Sequence, residues 1–94
     1  MSIKVVRLSK NAKKDLAGCP VFIVKKLLSW VKSVEKIGLE ETRKIKGYHD
    51  EPLYGQRFGQ RSIRLSRSYR AIYTVDAENS TSLVYVKEIN KHEY

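Results

Sequence analysis

Five arginines, Arg57, Arg61, Arg64, Arg67 and Arg70, fall between Pro52 and Val75, with no lysine and no acid among them. A guanidinium stays charged, grips phosphate through two parallel N–H donors and stacks on flat rings. Tyr54, Phe58, Tyr69 and Tyr73 are interleaved with these arginines. Arginine mixed with exposed aromatic rings supplies what a single-stranded nucleic acid needs, phosphate grips and surfaces for base stacking. Tyr73 reads instead as a core ring with its hydroxyl at the rim. The first fifty residues differ: ten Lys and two Arg are mixed there with five acids. Most of those lysines fall on the polar side of expected helices, where a solvated face accounts for them.

A second group of chemically able residues lies at the far end, Asn90-Lys91-His92-Glu93-Tyr94. Histidine gains and loses a proton near neutral pH, so His92, with Tyr94, is a candidate for moving protons at a phosphodiester held by the arginines. His49, in the loop before the strand-rich half, is a further proton-transfer candidate. Lys91 adds a cation for RNA. No carboxylate–histidine cluster has the spacing of a metal site, so neither metal nor cofactor is expected.

The elements that must position these groups follow from periodicity. Ile3 to Leu8 is short and β-branched and predicts a strand. Ser9 is a helix N-cap, with Gly18 ending that helix. Pro20 opens a second helix in which Ile23, Leu27, Trp30, Val34 and Ile37 recur at helical spacing, closed by Gly38. The segment Leu39 to Lys46 reads as a brief third helix or a turn, and residues 47–52 as a loop. Beyond Pro52 the period changes to two. Residues 62–66, 69–75 and 83–89 read as strands, with turns at Arg67-Ser68 and at Ala77 to Thr81. The predicted fold is α+β: an N-terminal strand and two or three helices on one face of a mostly antiparallel sheet, the other face open. Alternation places Arg64 opposite in direction to Ile63 and Leu65, and Arg70 opposite to Tyr69 and Ala71. A hairpin then brings Arg64 and Arg70 onto one surface.

Composition narrows the class. Ninety-four residues suit one domain, 1–94, with room for a surface cleft rather than a cofactor domain. The balance of 19 Lys and Arg against 10 Asp and Glu, net +9, calls for a polyanionic or acidic partner. The single cysteine, Cys19, fits a reducing compartment and a packing role at a helix junction. No apolar run is long enough for a membrane span. The expectation is a soluble, cytoplasmic protein.

With these residues in view, the stretch Pro52-Leu53-Tyr54-Gly55-Gln56-Arg57, Gly59, Ser62-Ile63-Arg64-Leu65 and Tyr69-Arg70-Ala71-Ile72-Tyr73 resembles the sheet region of RelE/ParE-superfamily toxins. Its P-L-x-G-x-R-x-G-x-x-S-I spacing is closest to the HigB/RelE branch. The resemblance implies a RelE-like fold and a toxin of a type II toxin–antitoxin pair, a ribosome-dependent endoribonuclease that cuts mRNA in the ribosomal A site and so inhibits translation. It implies that Arg70 is the phosphate-binding arginine of the cleaving members, that Arg64 occupies a strand position often basic in RelE proteins, and that Lys91-His92-Glu93-Tyr94 matches the C-terminal catalytic cluster. Arg57, Arg61 and Arg67 are then RNA grips on the rim. The implied partners are mRNA, the ribosome and a cognate antitoxin, which would also link the pair to operator DNA. The pattern departs at Tyr54, where many relatives carry Lys or Arg, and this implies lowered activity or altered codon preference. Two other readings stay open on the same fold: a ParE-like, non-enzymatic inhibitor of DNA gyrase, and a non-toxic RNA-binding protein.

Overall fold

A computed structural model describes residues 2–91. It begins with a strand, β1 (Val6–Leu8), followed by helices α1 (Lys10–Ala17), α2 (Val21–Ile37) and α3 (Leu39–Arg43). Strands β2 (Glu51–Pro52), β3 (Arg61–Arg64), β4 (Tyr69–Glu78) and β5 (Thr81–Lys91) complete it, with short 3₁₀ turns at Lys46–Tyr48 and Gly55–Arg57. The sheet order is β1-β5-β4-β3-β2. Among the described residues, only the β1–β5 pairing is parallel; the others are antiparallel.

The apolar stripe of α2 builds the core. Ile23, Leu27, Trp30 and Val34 are fully buried, together with Ile63, Tyr73, Val84 and Val86 of the sheet. The Trp30 and Tyr73 rings meet at 5.1 Å between centroids with a 46° tilt, a geometry aromatic quadrupoles favour. Cys19 packs against this core, and its thiol donates to the Asp15 carbonyl oxygen at 3.2 Å. Burial first, then the charge of Asp15, raises its pKa, so Cys19 serves packing rather than nucleophilic chemistry.

Two junctions hold the helices to the sheet. Ser9 Oγ accepts the Ala12 N–H at 2.9 Å as an N-cap and donates to the Lys87 carbonyl at 2.6 Å. Asp15 Oδ2 then accepts the Ile89 N–H at 2.9 Å. Polar side chains of α1 thus continue the pairing of β5 where β1 stops. Lys87 itself lies at a β-bulge, because Ile72 pairs with Glu88 and Tyr73 with Val86. The extra residue lets Ile89 and Val86, three positions apart, both face the core.

The structure differs from the sequence reading in five places. Glu51–Pro52, read as part of a loop, pairs with β3 as an edge strand, and the β3–β4 turn takes residues 65–68 rather than Arg67-Ser68 alone, because β3 ends at Arg64. The first strand is shorter than 3–8, because the Ile3 carbonyl accepts the Leu39 N–H at 2.8 Å instead of joining the sheet. The second hairpin turn is only Asn79-Ser80, both left-handed (φ 50 and 65), as a tight turn matched to strand twist requires. The sheet face away from the helices is not fully open. Arg57, on the segment between β2 and β3, reaches Glu88 on β5, and Ser62 and Ile72 on that face are buried. Among the described residues, no helix is long and apolar enough to cross a membrane.

Candidate nucleic-acid interface

Strand register fixes the site. Arg64 and Arg70 are direct cross-strand partners, as are Ser62 and Ile72, and Arg70 in turn pairs with Asn90 and Ile72 with Glu88. Partners across a ladder share a face, so this outward face carries Arg64, Arg70, Asn90, Ser62 and Glu88. Like charges placed directly opposite destabilise a sheet. Here the cost is moderated by neighbours: Arg70 Nη1 donates to Ser62 Oγ at 3.1 Å and lies 3.6 Å from Glu51 Oε1. Two guanidiniums side by side on one face have the donors to grip a phosphate group.

The segment from Leu53 to Gln60 makes the wall of the site. It is closed at its base by the Leu53 N–H on the Gln60 carbonyl at 2.9 Å. Arg57 extends from it, donating to Gln60 at 3.0 Å and to Glu88 at 2.7 Å. A cleft of about 450 Å³ results, with Glu51, Tyr54, Arg57, Ser62, Arg70 and Asn90 among its lining. It joins two guanidiniums, the Glu51 carboxylate and one exposed ring, and one of those guanidiniums, Arg57, is held by Glu88. Such a cleft can hold a phosphodiester and accept a proton beside it.

The remaining arginines separate. Arg61 shares the helix-side face with Ile63, since it pairs with Tyr73. Its Nε donates to Asp50 Oδ1 at 2.6 Å, and Asp50, its side chain 1% exposed, also accepts the Tyr73 hydroxyl at 2.6 Å. Arg43 Nε donates to that hydroxyl at 3.2 Å. Burial, then the bond to and charge of Asp50, raises the Tyr73 pKa, with Arg43 opposing. Burial alone would lower the Arg61 pKa, but the bond to and charge of Asp50 outweigh it, and the net shift is upward. Arg67 is exposed in the β3–β4 turn, which Ser66 Oγ braces by accepting the Ser68 and Tyr69 N–H groups.

Lys91 pairs with Tyr69, and its Nζ lies 5.9 Å over that ring, on the face away from Arg70. His49 is exposed and left-handed (φ 46) after the 3₁₀ turn Lys46–Tyr48, and it is not among the residues lining the cleft. Tyr54 is 76% exposed on the cleft wall. His92, Glu93 and Tyr94 lie outside the described residues. Sequence reasoning missed Glu51, Glu88 and Asn90. Plain alternation from Val84 and Val86 turns Glu88 and Asn90 inward; the bulge at Lys87 turns them to the outward face, where Asn90 pairs with Arg70.

No protein-family model matches the sequence, and comparison with curated proteins finds no match. Solved structures do match. The YoeB/ParE toxin from Agrobacterium tumefaciens has a TM-score of 0.71 at 17% identity, covering 95% of this chain and 99% of that one. The YoeB dimer from Staphylococcus aureus has a TM-score of 0.67 at 21% identity, with both chains covered at 100%. A chain of the DinJ–YafQ toxin–antitoxin complex from E. coli has a TM-score of 0.62 at 18% identity, covering 96% of this chain and 94% of that one. Helices on a mixed five-stranded sheet, at these coverages, give the chain the same α+β fold as these solved structures.

Proposed function

We propose that the chain is the toxin of a type II toxin–antitoxin pair and that it cleaves mRNA on the ribosome as a metal-independent endoribonuclease. The observation that carries this reading is the direct pairing of Arg64 with Arg70, which lies beside Glu51 in a cleft also lined by Arg57 and Tyr54. Fold likeness to toxins, including one in a toxin–antitoxin complex, supports the toxin role and a cognate antitoxin as partner.

In this mechanism Arg70 and Arg64 hold the scissile phosphate and stabilise charge growing on its non-bridging oxygens. The ribose 2′-oxygen attacks the adjacent phosphorus, and its proton passes to a base in the cleft. Glu51, an exposed carboxylate 3.6 Å from Arg70, is placed for that transfer. The bond from phosphorus to the 5′-oxygen breaks, and that oxygen takes a proton from an acid, for which His92 and Tyr94 are the candidates. The products are a 2′,3′-cyclic phosphate and a 5′-hydroxyl. Arg57 and Arg67 grip the flanking backbone. The ribosome contributes by holding the 2′-oxygen in line. With several arginine–phosphate contacts, affinity for single strands falls by roughly 0.7 log units per contact per tenfold rise in salt.

Mapping mRNA 5′ ends after brief induction tests the reading. Cuts within translated codons, carrying 5′-hydroxyl ends, support it. Intact mRNA with a DNA-damage response would assign the chain to gyrase inhibition instead, and intact mRNA with no growth arrest would leave only RNA binding.

A further inference from the structure

Behind the Tyr54 wall lies a second pocket of about 280 Å³, lined by Arg43, Tyr54, Phe58, Arg61 and Val75 among others. Pro52, Leu53 and Tyr54 line both this pocket and the arginine cleft, so the two adjoin across one wall. Two features mark the second pocket as built for a ligand. Phe58 and Tyr54 are 82% and 76% exposed, an unfavourable display of aromatic surface unless a partner covers it. The segment that displays them is held in shape by Gly55 (φ +65) and Gly59 (φ +94) on either side of its turn, and by the bonds closing its base. The two guanidiniums, moreover, are fixed from behind. Arg61 is held through Nε by Asp50, and Arg43 through Nε by the Tyr73 hydroxyl. A guanidinium gripped at Nε keeps its four terminal N–H donors for another acceptor. Among the described residues, no carboxylate lines the pocket.

We propose that this pocket takes a nucleobase of the bound single strand, on the far side of the Tyr54 wall from the reacting phosphate. The base stacks on Phe58 and Tyr54, while Arg43 and Arg61 donate to its acceptor edge or to the neighbouring phosphate. The volume sits just below the roughly 300–1,000 Å³ of pockets for drug-sized ligands and suits one planar ring system. A strand leaving the cleft over Tyr54 enters the pocket directly. Tyr54, where the family resemblance leads to a cation, thereby becomes a stacking wall between two subsites rather than a missing phosphate grip. Arg61, which the register separates from Arg64 and Arg70, returns to the RNA path from the opposite face, joined by Arg43. The inference rests on the reading of the arginine cleft as an RNA site.

The test uses the whole chain and short single-stranded 2′-O-methyl RNAs, which lack the attacking hydroxyl, followed by fluorescence anisotropy. One nucleotide at a time is replaced by an abasic residue. A single stacked base accounts for roughly 5- to 100-fold in affinity. The expected result is one position where the abasic strand binds the native chain weaker by about that factor. Phe58→Ala loses the same factor on the intact strand and nothing further on the abasic one, and Tyr54→Ala behaves alike. Phe58 is exposed, so its truncation leaves the fold in place. Native affinity in Phe58→Ala, or an abasic penalty undiminished in it, would overturn the proposal. Unchanged RNA binding in Phe58→Ala with lost binding of an acidic partner protein would assign the pocket to protein docking and equally overturn it. If Arg70→Ala weakens RNA binding while Phe58→Ala does not, only the pocket assignment fails. If the native chain binds no RNA, both readings fail.

Discussion

Arg57 and Glu88 meet at 2.7 Å across the outward face of the sheet, joining the segment after β2 to β5. The carboxylate occupies a guanidinium that the proposed mechanism assigns to RNA, so an arriving phosphate has to displace it. Half-exposed pairs of this kind contribute about 0–1 kcal/mol. Replacing Glu88 by Gln therefore leaves thermal stability nearly unchanged and tightens RNA binding about two- to fivefold at low salt. Titration of a labelled single strand checks this. Weaker binding in Glu88→Gln would mean that Glu88 positions Arg57 rather than competing for it.

Tyr73 gives the fold a defined alkaline limit. Burial, followed by the bond to and charge of Asp50, holds its pKa above the ordinary tyrosine value of about 10. Folding thus favours the protonated phenol. The stabilisation is complete below the unfolded value and is lost as pH rises past it towards the folded value. Melting temperature falls with pH above about 10 in the native chain, and the fall is shallower in Tyr73→Phe. Parallel slopes in the two proteins would contradict the Asp50–Tyr73 arrangement.

Ser9 serves α1 and β5 at once, as N-cap to Ala12 and donor to the Lys87 carbonyl. Ser9→Ala removes both bonds and destabilises the chain by about 1–2 kcal/mol. Urea denaturation measures the loss. Ser9→Asp restores the cap but cannot donate to the carbonyl, and it recovers only part of the stability.

Legibility in the sequence differed from element to element for physical reasons. The spacing of Ile23, Leu27, Trp30 and Val34 identified α2 because one face had to be buried. Alternation around Ile63, Leu65, Tyr69 and Ala71 put Arg64 and Arg70 on one face, whereas their direct pairing depends on a turn longer than Arg67-Ser68. Arg61 shares parity with Ile63, so alternation also separates it from Arg64; its density in the arginine run concealed that. Its partner Asp50 comes from the segment after a left-handed His49, and a loop of that shape leaves no periodic trace. Glu51 and Glu88 flank the arginine run in three dimensions but lie outside it in sequence. The bulge at Lys87 shifts the parity of β5, so reading back from Val84 and Val86 points Glu88 the wrong way. The span of β1 depends on where Ile3 sends its carbonyl, a tertiary contact with Leu39.

Arg70 carries the central claim. Its side chain is held by Ser62 and Glu51 at the cleft and faces Arg64 directly. The decisive measurement is cleavage of a translated mRNA by purified native chain and by Arg70→Ala on programmed ribosomes, with 5′ ends read at nucleotide resolution. The prediction is A-site cuts with 5′-hydroxyl ends from the native chain, and a loss of at least about 100-fold in Arg70→Ala with an unchanged melting curve. Cutting by Arg70→Ala at the native rate, or intact mRNA with the native chain, would contradict the account.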